Sequence, residues 1–156
     1  MKPLQLHDFI HLHVRSPFSF YEGASKLPEL METAVRLGQK AIAITDRNRT
    51  SGIIPAVKVA RELGIKVIPG LLLDDPRDAS RTLLLWARNL TGYNELCRQA
   101  TERQLNPQFT LETAAESIRD SVIAAAADIS LLQILRDQLP PGGIYGELTL
   151  PEGEQS

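Results

Sequence analysis

The chain has 156 residues, enough for one domain with a real core, and 43% hydrophobic with 23% charged residues is an ordinary globular composition. A net charge of −2 excludes a generally basic surface, so any nucleic-acid contact needs a local patch. Cys97 is the only cysteine, the opening MKPLQLHDFIHLHV lacks a signal-peptide pattern, and no run approaches the ~18 apolar residues of a membrane span, so the expectation is a cytoplasmic chain without disulfides.

Apolar periodicity divides the chain into short strands and amphipathic helices. Residues 9–14 (FIHLHV) read as a strand. A helix follows over 26–37, with Ser25 as its N-cap and Gly38 as its stop. The nearly all-apolar 40–45 (KAIAIT) reads as a strand buried on both faces. A second helix spans 52–63, ended by Gly64, and 66–73 (KVIPGLLL) is the next strand.

The second half repeats the rhythm. Strand 82–86 leads to a helix over 92–104 and a short helix over 111–118. Strand 121–126 leads to a helix over 129–139, stopped by Pro140-Pro141-Gly142-Gly143, where the glycines read as a turn. Residues 144–150 form the last strand, and 151–156 read as a polar, fraying tail on a 1–150 domain. About six strands alternating with helices predict an α/β fold with βαβ crossovers and a parallel sheet, either open or an incomplete barrel. Ligand sites in such folds sit at the carboxyl ends of strands. His11, His13, Arg15, Asp46, Arg47 and Asp128 follow or end strands in that way.

Four segments carry a family resemblance: FIHLHVRSPFSFYEGASKL, AIAITDRNRTSGI, GIKVIPGLLL and LLLWARNLTGYNEL. In order and spacing they resemble the PHP (polymerase and histidinol phosphatase) domain of bacterial DNA polymerase III alpha subunits and their error-prone relatives. The family there reads roughly HLHVHSxYSxLDGAAK, ALAITDHGNMxG, GIKPIxGxE and HLVLLAKNxTGYxNL. The resemblance implies a β/α barrel with a metal cluster at the strand ends, supporting phosphoester hydrolysis and proofreading. It implies as partners the rest of the polymerase alpha subunit, the proofreading exonuclease subunit, and DNA through the parent polymerase, with no membrane. The polymerase carboxylates themselves would lie elsewhere.

Against the family pattern the ligand positions are altered. The HxH pair falls on His13 and Arg15, with His11 at a His-or-Asp position. The His of TDH is Arg47, after Asp46; the GxE glutamate is read on Leu71, the His before the LVLLAKN run on Thr82, and a later cysteine on Asp128. A guanidinium has no lone pair to give, and it repels a cation by ~4 kcal/mol per unit-charge pair at an effective dielectric of 20. The expectation is therefore a metal-free, structural domain, with Arg15 or Arg47 paired to Asp46 or Asp128. The rival is a phosphoesterase or proofreading exonuclease holding one Zn or Mn on His11, His13, Asp46 and Asp128.

Blander readings stand beside these. His11 and His13 read as hydrogen-bonded strand-end histidines, and Asp46 as an ion pair of Arg47 or a helix cap. Arg47, Asn48 and Arg49 read either as a solvated loop or as a small phosphate site. Cys97 and Trp86 read as core residues. The family barrel needs more chain than this, so the sequence reads as part of a longer protein or a truncated product. Missing strands would leave an unpaired edge, which a homodimer would cover.

Overall fold

A computed structural model describes residues 9–20 and 22–148. Among them lie five helices and five strands: α1 (Leu27–Arg36), β1 (Ala41–Ile44), α2 (Ile53–Leu63), β2 (Lys66–Asp74), β3 (Thr82–Ala87), α3 (Leu90–Leu105), α4 (Leu111–Ser117), β4 (Val122–Ala126), α5 (Ile129–Gln138) and β5 (Ile144–Gly146). No described helix is long and apolar enough to cross a membrane. The predicted tail at 151–156, and the end of the predicted last strand, lie outside the described residues.

Local chemistry explains most boundaries. α1 ends at Leu37, where Gly38 takes φ 75° and donates to the Val35 carbonyl while Gln39 donates to Ala34, closing a Schellman turn. Its start departs from expectation. Ser25 does not cap it; Lys26 occupies the N-cap without a side-chain bond, and Pro28 pre-sets the first turn instead. α3 begins two residues before the predicted start because Asn89 caps it, accepting from the Gly92 amide at 3.0 Å. α4 and α5 are capped in the same manner by Thr110 and Asp128.

The strands form one open sheet in the order β1-β2-β3-β4-β5. β1 and β2 are parallel, as are β4 and β5, but β3 runs antiparallel to both of its neighbours. The all-parallel expectation fails there for a simple reason. Residues 75–81 alone connect β2 to β3, and a parallel crossover needs a dozen or more residues. They close a hairpin instead, with the Asp75 amide donating to the Arg81 carbonyl at 3.1 Å.

Residues 9–14 also depart from the prediction. They are not a laddered strand, although the Ala43 and Thr45 amides donate to the carbonyls of His11 and Val14 from the edge of β1.

Both faces of the sheet are apolar, but they are covered differently. On one face Leu71, Leu73, Leu83, Leu85, Val122 and Ala124 pack against α3, α4 and α5. A contiguous cluster joins β1 to α1 and α2 through Ile42, Ile44, Met31 and Ile53. On the concave face lie Ala43, Leu72, Leu84, Trp86 and Ala125. Trp86 is core, as expected, and its indole N–H finds the Leu12 carbonyl at 2.7 Å.

One glycine fixes how tightly the site is built. Gly52, at φ −74°, needs no unusual backbone, yet a Cβ there would meet Oδ2 of Asp46 and Oγ of Ser16 closer than real Cβ contacts allow. These two atoms hydrogen-bond each other, so neither can yield freely. Gly52→Ala would ordinarily favour a helix start; here overpacking dominates, and a loss of about 2 kcal/mol is expected in urea unfolding. An unchanged or raised midpoint would show that this contact can relax.

Candidate functional rim

Strand direction gathers the sequence-predicted positions at one end of the sheet. The carboxyl ends of β1, β2, β4 and β5 point to the same rim, and the antiparallel β3 starts there. Asp46 and Arg47 follow β1, Thr82 opens β3 in register with Asp74, and Asp128 follows β4. Past the end of β1 the chain stays bonded to β2, the Leu72 amide donating to Asp46 and the Asn48 amide to Leu72. Asn48 takes φ 54°, a left-handed conformation that asparagine tolerates better than most residues, and this turns residues 47–48 toward Asp74.

Leu71 requires a correction. It is fully buried in the cluster under α3–α5, on the face opposite the rim pocket. Side chains alternate along a strand, so its neighbour Leu72 is the one that faces the concave side with Leu84 and Trp86. Within Gly70-Leu71-Leu72, the last residue is also the one that matches the glutamate of a Gly-x-Glu spacing.

Asp46 is fully buried and pairs with neither arginine. Its Oδ1 accepts from the Ser16 amide (2.7 Å) and the Ser19 hydroxyl (2.8 Å), and its Oδ2 accepts from the Ser16 hydroxyl (2.7 Å). The expected ion pair with Arg15 or Arg47 is absent because three closer, neutral donors already surround the carboxylate. Nor does Asp46 cap α2, whose N-cap is Gly52.

The arginines find other partners. Arg15 Nη1 meets Glu22 Oε2 at 2.5 Å, and Arg47 Nε meets the other oxygen of Glu22 at 2.8 Å. Arg47 Nη1 continues to Asp74 Oδ2 at 3.0 Å, and Arg103 on α3 reaches Asp74 Oδ1 at 2.6 Å. Asn48 Nδ2 adds a bond to Asp74 at 2.8 Å. Burial pushes the Asp74 carboxyl up, but bonds from Asn48, Arg103 and Arg47 outweigh it and hold the group below its ordinary value. Arg47 and Asn48 thus bond within the protein, and Arg49 lies over the Phe20 ring at 4.6 Å.

A second cluster centres on Arg81. Its guanidinium bonds Asp75 (3.1 Å), Glu112 (2.7 Å) and Asp128 (2.8 Å), which fasten the hairpin, α4 and the start of α5 together. Glu112 and Asp128 raise the already high Arg81 pKa further. Asp128, placed by expectation among ligand positions, accepts from the Ser130 amide at 2.8 Å and its hydroxyl at 2.6 Å as the cap of α5.

The histidines separate. His13 Nδ1 lies 2.7 Å from Glu147 Oε1, just past β5. His11 stacks edge-on with Phe9 at 4.8 Å, and its amide donates to the Gln39 side chain. Cys97 is half-buried on α3 with its Sγ 3.5 Å from Thr50 Oγ1.

Sequence reasoning missed Glu22, Asp74, Arg81, Arg103 and Glu147. The spacing of charges on single elements gives no hint of these pairings, which join positions up to 134 residues apart.

Among the described residues, no three of His, Cys, Asp and Glu converge as a metal-ligand group, and no buried side-chain nitrogen or oxygen lacks a hydrogen-bond partner.

Comparison with known proteins places the chain. The family model described as PHP domain matches residues 11–154. The error-prone DNA polymerase of Rhodopirellula baltica is 37% identical over 113 residues, covering 72% of this chain and 10% of that protein. The DNA polymerase III subunit alpha of Treponema pallidum is 33% identical over 146 residues, covering 85% of this chain and 12% of that protein. The chain therefore spans about a tenth of the length of these curated relatives. Among solved structures, an amidohydrolase from Chromobacterium violaceum aligns with a TM-score of 0.42 at 23% identity, over 56% of this chain and 31% of that one.

The rim carboxylates give stability a pH dependence of definite sign. Bonds from Ser130 and then Arg81 hold the Asp128 pKa down to about 2 from the ordinary 3.8, and Asp74, Glu112 and Glu147 are lowered too. A depressed folded pKa stabilises fully above the unfolded value and is lost as pH falls through the folded one. The denaturant midpoint is therefore expected to fall between about pH 5 and about pH 2. Asp128→Asn should lower the midpoint near neutrality and shrink that difference. An identical pH difference in parent and variant would show that Asp128 carries none of it.

Proposed function

The chain belongs to the PHP domain family, and we propose that it is a structural PHP module of a bacterial DNA polymerase of the polymerase III alpha or error-prone kind, without a metal centre of its own. The polymerase setting is supported by the relatives, eight of which are error-prone polymerases or a polymerase III alpha subunit. In that setting the module works in the cytoplasm, and its partners are the remainder of the polymerase, the proofreading exonuclease subunit, and DNA held by the polymerase.

One observation carries the metal-free reading: the rim is already filled by protein charge. Arg15 and Arg47 stand where imidazoles would be needed, and both are ion-paired to Glu22, with Asp74 taking the other side of Arg47. Leu72 offers an aliphatic chain where a metal ligand would need a carboxylate. Asp46 has its oxygens bonded to three donors within the protein. Zinc needs about four N, O or S donors, and manganese more. The residues present do not fit such a cluster, and no hydrolytic step follows from them.

In place of a bridging cation, the ion-pair chain Arg15–Glu22–Arg47–Asp74–Arg103 ties the N-terminal segment, β2 and α3 together. The role this supports is holding shape for neighbouring parts of a polymerase.

The test is elemental and thermal. Protein exposed to zinc or manganese and then desalted is expected to keep below about a tenth of an equivalent, with no rise in Tm, since a ligand that binds the folded state raises Tm by mass action. Stoichiometric metal, together with hydrolysis of a simple phosphoester, would replace this reading with the phosphoesterase one.

A further inference from the structure

The sheet has two edges, and the first described segment of the chain bridges them. Residues 11–14 run beside β1: the Ala43 amide reaches the His11 carbonyl (2.9 Å), the Thr45 amide (2.8 Å) and hydroxyl (3.1 Å) reach the Val14 carbonyl, and the His11 amide donates to the Gln39 side chain (3.3 Å). Two more bonds cross the concave face. The Trp86 indole N–H, from the middle of β3, donates to the Leu12 carbonyl at 2.7 Å. His13 Nδ1 reaches Glu147 Oε1, beyond the far edge strand β5, at 2.7 Å. Among the described residues, strap and sheet thus form a ring closed by one side-chain pair rather than by a strand ladder. Inside it lies a half-open chamber of about 390 Å³, floored by Ile68, Leu84, Trp86 and Ala125 with Tyr145 at its side.

The attachments of the strap are unequal. At Ser16 the anchor is firm, because the amide and hydroxyl of that residue are locked on the fully buried Asp46. Around Leu12 and His13, on the side toward the chamber, the hold is lighter. Leu12 is 47% exposed and Phe9 52%, so little apolar burial fixes them. The His13–Glu147 pair keeps side-chain exposures of 32% and 18%, and partly exposed pairs are weak. Local opening draws on segments with few buried contacts and few backbone bonds.

We infer that residues 11–14 are a gate over this apolar chamber, hinged at Ser16 and latched by His13 and Glu147. When the latch parts, the Leu12 carbonyl leaves the Trp86 indole and the chamber floor meets solvent. The occupant that covers the face in the closed state is the strap itself. This is a conformational property of the fold, and it stands whether or not the rim binds metal.

Trp86 is the only tryptophan in the chain, so its fluorescence reports the gate without labelling. The measurement is acrylamide quenching of the full chain, with circular dichroism to verify folding, for the parent, His13→Ala, Glu147→Ala, the double variant and His13→Asn. Asparagine can place an N–H donor where Nδ1 sits. Each alanine variant is expected to raise the open fraction, and with it the quenching constant, by up to about fivefold, the upper range for a partly exposed pair. The double variant should quench no more than either single one, and His13→Asn should stay near the parent. Unchanged quenching in both alanine variants, or effects that multiply in the double variant, would overturn the latch. Global unfolding of either alanine variant, under conditions where the parent stays folded, would overturn the gate as well, since the pair would then hold the fold rather than a hinge.

Discussion

A buried carboxylate held between two guanidiniums organises this protein. Asp74 ends β2 at the rim, and Arg47 from the β1 loop and Arg103 from α3 converge on it while Asn48 bonds it from the side. Without the two guanidiniums the buried Asp74 carboxylate would be uncompensated, and removing one member of a buried pair costs roughly 3–5 kcal/mol. The arrangement therefore decides where the loop after β1 goes, and with it the placement of Arg15 and Glu22, which complete the chain of charges.

Asp46 does a different job with the same chemistry. It takes no cation, yet it is fully buried, because the Ser16 amide and the Ser16 and Ser19 hydroxyls saturate it. Gly52 gives it the room to sit there. The carboxylate thereby pins the N-terminal segment to the end of β1, and the described residues upstream of Ser16 pivot from that point. Asp74 and Asp46 are two buried acids some thirty residues apart, one neutralised by charge and the other by dipoles. Both have their oxygens committed to donors within the protein.

The helices are legible in the sequence to within a residue or two, because apolar spacing and the stops at Gly38 and Gly64 act locally. Capping at Asn89 is legible too, in an Asn three residues before Gly92, although the predicted helix starts later. The direction of β3 can be read from the length of the 75–81 connection, which is too short for a crossover. For the rim, the residues in the family positions are legible but their partners are not. Asp46 and Arg47 are adjacent in sequence, and proximity suggests a pair. The backbone of an extended segment sends adjacent side chains to opposite sides, so the two go to different partners. Leu72, by contrast, is legible at once, since the Gly-x-Glu spacing counted from Gly70 falls on it.

Sequence alone determined the composition of a globular α/β domain, the positions of its helices, the PHP resemblance, and the fact that arginine and an aliphatic residue stand where ligands are expected. These are properties of single residues and of short-range spacing, so they survive without coordinates. Only the tertiary structure decided which acid each arginine serves, that Leu72 rather than Leu71 faces the concave side, and that His13 meets Glu147 across the sheet. Those outcomes depend on strand direction, on sheet register and on contacts spanning most of the chain. Charge pairing is chosen by distance in space, and the linear order of residues does not encode that distance until the sheet has formed.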